Sequence, residues 1–160
     1  MVNGEELKKL GLFGSLSQTQ LAKLAGATET IKYPANSSIY MSRERAARLF
    51  IVRDGLVSLR LFDPGEGPEV NFGTRAKGDL FGGASFMKPQ RYTVTATCLK
   101  PTELIVIETS HLWDFFQDDP EFGYRFMKEI AQLYFDRYVT AIGYLAESIK
   151  EPTRIMAQPG

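Results

Sequence analysis

Apolar positions fall into three regimes along the chain. Up to about residue 27 they recur at helical spacing: 5–10 makes a short first piece, interrupted by Gly11 and Gly14. Ser17-Gln-Thr-Gln20 then has the form of a capping box, with Leu16 and Leu21 placed as its hydrophobic staple. From about Thr28 to Thr109 the period becomes two. Residues 30–33, 38–41, 49–52, 57–62, 70–72, 92–98 and 103–107 are short runs rich in β-branched and aromatic side chains, which predicts strands. After Thr109 the helical period returns. A short helix is expected over 111–116, capped by Ser110, and a fresh start at Asp119-Pro120-Glu121, with Asp as N-cap and Pro in the first position.

Turn residues separate the strands: Pro34-Ala-Asn36, Asp54-Gly55, the 63–68 segment, Lys77-Gly-Asp79 and Lys100-Pro101. Arg53-Asp-Gly-Leu56 between two apolar runs is the clearest hairpin. Many short, regularly punctuated strands predict an antiparallel β-roll or jelly roll, mainly β, with short N-terminal helices and a long C-terminal one.

Nothing breaks that last helix between Pro120 and Lys150, although Gly143 weakens it. About thirty helical residues extend some 45 Å, more than a small roll needs to cover its side. Met127, Ala131, Tyr134, Tyr138, Ala141, Leu145 and Ile149 follow a three-four spacing, while Phe122, Phe126, Ile130, Leu133, Val139 and Ile142 widen the apolar arc. An arc this wide calls for two partners, the roll and a second copy of the chain. Met127, Tyr134, Tyr138, Ala141 and Leu145 are the expected homodimer positions. The competing reading folds the whole helix back onto its own domain.

Composition narrows the class. With 160 residues the chain is expected to form one domain over 1–150, with 151–160 as a tail. Lys+Arg and Asp+Glu both number 19, so no basic excess draws the chain as a whole to a phosphate backbone. Cys98 cannot form an internal disulfide and lies in an alternating segment, where a buried inert thiol is expected. The first residues lack an apolar core of signal-peptide length and no later run approaches a membrane span, so a cytoplasmic setting is expected.

The chemistry concentrates in residues 77–96. Gly78, Gly82 and Gly83 permit tight turns, residues 84–87 make a helical turn, and Pro89 stops it. Backbone N–H groups of Gly82, Gly83, Ala84 and Ser85 offer donors to an anion, with the forked cation of Arg91 downstream. On residue types alone, a phosphate cradle and an ordinary glycine-rich corner both stand.

The segment resembles the phosphate-binding cassette of the cyclic nucleotide-binding domain family, which includes catabolite-activator type regulators and the regulatory subunits of cyclic-nucleotide-dependent kinases. Gly78, Phe81 and Gly82 match its pattern, Phe86 stands for a leucine, and Arg91 for the phosphate arginine. Phe50, Val52, Gly55 and Val57 resemble the family's hairpin, and the Leu-Phe-x-x-Leu-Ser opening its N-terminal helices. The resemblance implies a ligand site at Phe81, Gly82, Gly83, Ala84, Ser85, Arg91, Tyr92 and Thr93, and a dimer seam along the last helix. The cassette is degenerate. Gly83 replaces the glutamate that bonds the ribose, the loop before Arg91 is about one residue short, and Tyr92 stands where a small or hydroxyl residue is usual.

Catalysis finds no inventory. A lone His111 cannot supply the clustered imidazoles of a jelly-roll metalloenzyme and is expected as a capping or surface residue. There is no Gly-x-Ser-x-Gly elbow, and Ser85 has no identifiable base. No catalytic residue, metal or resident cofactor is expected. Two classes remain: a sensor taking a cyclic nucleotide or other small anion, and a ligand-free dimerisation or protein-interaction module. Weak or undetectable binding of cyclic AMP and cyclic GMP is expected, with any residual anion affinity dependent on Arg91; the sensor class requires Gly83→Glu to gain affinity and Arg91→Ala to lose it. Without a helix-turn-helix after residue 150, no DNA binding by this chain alone is expected, and regulation would pass through a protein partner.

Overall fold

The computed structural model describes residues 2–61 and 70–150. Helix α1 (Gly4–Lys8), a 3-10 turn (Gly11–Phe13) and helix α2 (Gln18–Gly26) precede eight strands: β1 (Thr28–Tyr33), β2 (Ser38–Tyr40), β3 (Arg48–Asp54), β4 (Val57–Leu61), β5 (Val70–Arg75), β6 (Leu80–Phe81), β7 (Thr95–Cys98) and β8 (Thr102–Glu108). Helices α3 (Thr109–Asp118) and α4 (Pro120–Lys150) close the order. The strands form two antiparallel sheets, β1-β8-β3-β6 and β2-β7-β4-β5, the β-roll expected from the alternating pattern.

Strands β3 and β8 explain why the core is double. Successive residues of a strand face opposite sides. Leu49, Ile51, Ile105 and Ile107 join the helices' cluster around Phe13, Phe122 and Phe126. Phe50, Val52, Leu104 and Val106 face the roll interior with Leu59, Phe81 and Ala96. All eight are buried, and each such side chain contributes roughly 1.5–3 kcal/mol of transfer free energy.

Caps hold α2 and α4 at their expected starts. Ser17 Oγ accepts from Gln20 N while Gln20 Oε1 accepts from Ser17 N, which completes the capping box. At α4, Asp119 Oδ1 accepts from Phe122 N. Arg53 ties α1 to the sheet through Glu6 at 2.6 Å and Glu103 at 2.8 Å.

Three details differ from the sequence reading. Helix α3 begins at Thr109 behind Glu108, without a side-chain cap, so Ser110 lies inside it. Strand β6 is two residues inside the glycine-rich stretch. Strand β7 begins at Thr95 rather than 92, because Tyr92 N donates to Glu44 O and Tyr92 O accepts from Arg43 N, pairing Tyr92 with the 43–45 loop instead. Cys98 is buried in β7 and His111 is exposed on α3. Among the described residues no helix is long and apolar enough to cross a membrane.

Candidate functional site

The cassette is assembled on β3. Gly78 N donates to Val52 O and Val52 N to Asp79 O, while Asp79 Oδ2 accepts from Ala76 N and fixes the turn. Strand β6 then pairs Phe81 with Phe50. Gly82 follows with φ +87°, and a Cβ there would lie 2.8 Å from Arg48 O. Glycine at 82 is therefore required by the approach of the cassette to β3, before any ligand is considered.

Residues Gly83–Phe86 form a 3-10 turn, all four buried. The N–H of Ser85 donates to Gly82 O within that turn, and Ser85 Oγ is buried without a partner among the described residues. A Cβ on Gly83 would come within 3.3 Å of Tyr134 and 3.4 Å of Ile130. Helix α4 thus packs on the cassette at the position where the family carries its glutamate.

The downstream loop spreads its residues. Arg91 is exposed, bridges to Arg45 and donates from Nη1 to Arg43 O at 2.8 Å. The side chain that reaches the cassette is Gln90, whose Nε2 donates to Ser85 O at 3.1 Å. Tyr92 is 5% exposed, stacks on Tyr40 with ring centroids 3.6 Å apart, and donates its hydroxyl to Arg48 O. Burial, only partly offset by that hydrogen bond, pushes its phenol up to about 12. Thr93 is exposed. Phe81 through Ser85 are contiguous in the structure, whereas Arg91 and Thr93 lie outside the buried turn.

On the helix side the five seam residues divide. Met127 and Tyr134 are half-buried against the chain's own core; Tyr134 packs on both clusters. Tyr138, Ala141 and Leu145 are exposed, Tyr138 by 60%, alongside Phe135, Val139, Ile142 and Ile149. The first half of α4 covers the roll; the second half presents an exposed apolar surface and touches the roll through Tyr144, whose hydroxyl donates to Asn71 O on β5 at 3.1 Å.

Between β5, β6 and α4 lies a cavity of roughly 310 Å³ that the sequence reading missed. Arg75 at the end of β5 and Arg137 on α4 line it with Phe72, Leu80 and Leu133. Burial, and next the charge of Arg137, lower the pKa of Arg75. The signal present in sequence was an arginine at the close of a strand and another within the apolar arc of the helix; neither belongs to the cassette pattern.

Comparison with known proteins bears on the family and the fold. The curated CRP-like cAMP-activated global transcriptional regulator of Mycobacterium tuberculosis is 23% identical over 128 residues, which cover 80% of this chain and 57% of the regulator. The chain therefore spans little more than half the length of that relative. A Geobacter metallireducens protein described as cyclic nucleotide-binding superposes with a TM-score of 0.72 at 26% identity, covering 86% of this chain and 99% of that one. The Thermus thermophilus catabolite activator protein shares the fold with a TM-score of 0.70 at 19% identity, over 84% of this chain and 62% of its own. Residues 30–119, which hold both sheets and the cassette, match the cyclic nucleotide-binding domain, and the chain belongs to that family.

Proposed function

We propose that this chain is a regulatory sensor domain, a binding rather than catalytic module, which takes a small anionic ligand between the cassette and α4 and transmits the change through a dimerising α4. The observation that carries this reading is Tyr134: one side chain on α4 touches the cassette at Gly83 and packs on both cores. A ligand entering beside the cassette must displace or recruit it. The displacement passes directly to the exposed apolar stretch beyond residue 137, where a second copy pairs. Cyclic AMP and cyclic GMP bind weakly, because Gly83 supplies no carboxylate for a ribose hydroxyl. The Mycobacterium tuberculosis relative is a cAMP-activated transcriptional regulator; in this chain the output passes to a protein partner, in the reducing cytoplasm that suits Cys98.

A second reading, a ligand-free dimerisation module, is favoured by the filling of the interior: Ile130 and Tyr134 stand at the glutamate position, and Tyr92 is stacked in the aromatic core. A thermal-shift series with cyclic AMP, cyclic GMP, cyclic dinucleotides and inorganic phosphate separates the two, since a ligand that binds the native state raises its unfolding midpoint. The sensor reading expects a concentration-dependent rise for at least one compound and a change in dimer affinity by sedimentation. No shift with any of them leaves the interaction module standing.

A further inference from the structure

We propose that Arg75 and Arg137 form an oxyanion site between β5 and α4 that takes a compact phosphate-bearing ligand, so that the anion is held by the helix rather than by the cassette arginine. The proposal rests on the sensor reading only for its consequence, the clamping of α4.

Both guanidinium Nε groups are buried without a hydrogen-bond partner among the described residues, and both line the same cavity. Neither arginine makes a salt bridge with a described residue, although Asp79 and Asp136 also line the space. Those carboxylates have other tasks: Asp79 Oδ2 accepts from Ala76 N at 2.8 Å and Asp136 Oδ1 from Gln132 Nε2 at 2.9 Å. Arg137 lies over the ring of Tyr134, 5.3 Å from its centroid, and Tyr134 Oη is a third buried polar atom without a partner. Burial and the neighbouring charge of Arg137 disfavour the Arg75 cation, and Asp79 and Asp136 offset this only in part, so an anion that bonds the open Nε groups relieves both guanidiniums. The lowered pKa of Arg75, caused first by burial and next by Arg137, agrees with that geometry.

The class of ligand follows from the donors. Arg75 Nη1 already donates to Thr74 O at 2.8 Å, so its Nε and the Arg137 guanidinium are the donors offered; donors converging from two elements suit a tetrahedral group with acceptors pointing several ways. A cavity of about 310 Å³ lies at the small end of ligand sites, which run to about 1,000 Å³, and Phe72, Leu80 and Leu133 give it an apolar wall. Because Arg75 stands on the sheet and Arg137 on the helix, a bound phosphate joins the two.

The test is calorimetry and thermal unfolding of the whole chain with inorganic phosphate, with chloride at matched ionic strength as reference. Arg75→Gln and Arg137→Gln are each expected to weaken phosphate roughly ten- to a hundredfold, while unfolding without phosphate at a midpoint no lower than wild type. Lys100→Gln, on the exposed β7–β8 turn, serves as the charge control and keeps wild-type affinity. The inference is overturned if wild type responds to phosphate no more than to chloride, or if phosphate affinity falls in Arg91→Ala and persists in Arg75→Gln and Arg137→Gln. Cyclic AMP in parallel keeps the two readings apart: Arg91-dependent binding that ignores both Gln variants sustains the sensor and sinks this site.

Discussion

A Cβ built on Gly83 would lie 3.3 Å from Cε2 of Tyr134, closer than a side chain accepts without movement of its neighbour. Helix and cassette therefore meet across a glycine. Gly83→Ala is expected to destabilise the chain by about 1–3 kcal/mol through overpacking, and Tyr134→Ala in the same chain should recover part of that loss. Urea unfolding of the two single variants and the pair measures the coupling; strict additivity would show that the two sites do not touch in solution. The sequence-based expectation that Gly83→Glu raises cyclic nucleotide affinity then acquires a condition. Glutamate needs the room held by Tyr134 and Ile130, so the gain is expected in Gly83→Glu/Tyr134→Ala and not in Gly83→Glu alone.

Asp119 starts α4. Its Oδ1 accepts from Phe122 N and its Oδ2 from Gln20 Nε2, and these bonds hold its pKa below the ordinary 3.8, the Phe122 bond foremost. Asp119→Ala is expected to cost about 1 kcal/mol near neutrality. The folded pKa is lowered, so this contribution is present above the unfolded value and disappears as pH falls through the folded one. Chemical denaturation of wild type and variant at neutral and strongly acid pH should show the difference closing in acid; a gap that persists would mean the carboxylate is not its source.

Tyr92 and Tyr40 report on the interior. Burial raises both phenols, that of Tyr92 to about 12. Because the folded pKa values lie above the ordinary phenol value of 10.0, the unfolded chain loses these protons first, and stability falls as pH rises past that value. Ultraviolet titration of wild type against Tyr92→Phe should remove one late-titrating phenol. Tyr92→Phe also takes away the bond to Arg48 O and is expected to cost about 1 kcal/mol at pH 7. An early-titrating Tyr92 would mean that the ring is not enclosed.

The pairing of two copies is tested at the far end of α4. Tyr138→Glu and Leu145→Glu place charges on the exposed apolar surface and touch neither core, so each is expected to give a monomer of near-wild-type thermal stability. Sedimentation velocity at tens of micromolar decides this. A wild-type protein already monomeric there would refute the dimer.

The legible parts of the fold were those where one physical signal dominated. Asp119-Pro120, the Ser17 to Gln20 box and the hairpin at Gly55 carry their chemistry within a few residues, and the structure places them as read. Strand β6 was not legible because two residues show no period. Tyr92 was misplaced in a strand because alternation through residue 98 says nothing of a competing partner; the 43–45 loop supplied one. The cassette backbone was readable from Gly82, yet where Arg91 points depends on a contact with Arg43 nearly fifty residues away. Arg75 and Arg137 were invisible as a pair for the same reason: only the packing of α4 against β5 brings them to one cavity.

Helix α4 is continuous in backbone but not in support. Up to Arg137 its side chains lean on two cores, whereas from residue 138 to 150 every residue is exposed. Tyr144 Oη donates to Asn71 O on β5 at 3.1 Å, and beyond that bond the segment has little tertiary support; about a dozen helical residues so held are marginal in water. Its amides should therefore exchange with solvent along a gradient that steepens on dilution and flattens as a neighbour covers the surface. Under the proposed pairing the distal helix would act as a gauge of local crowding by its own kind: how far order runs along it would reflect the concentration of the protein.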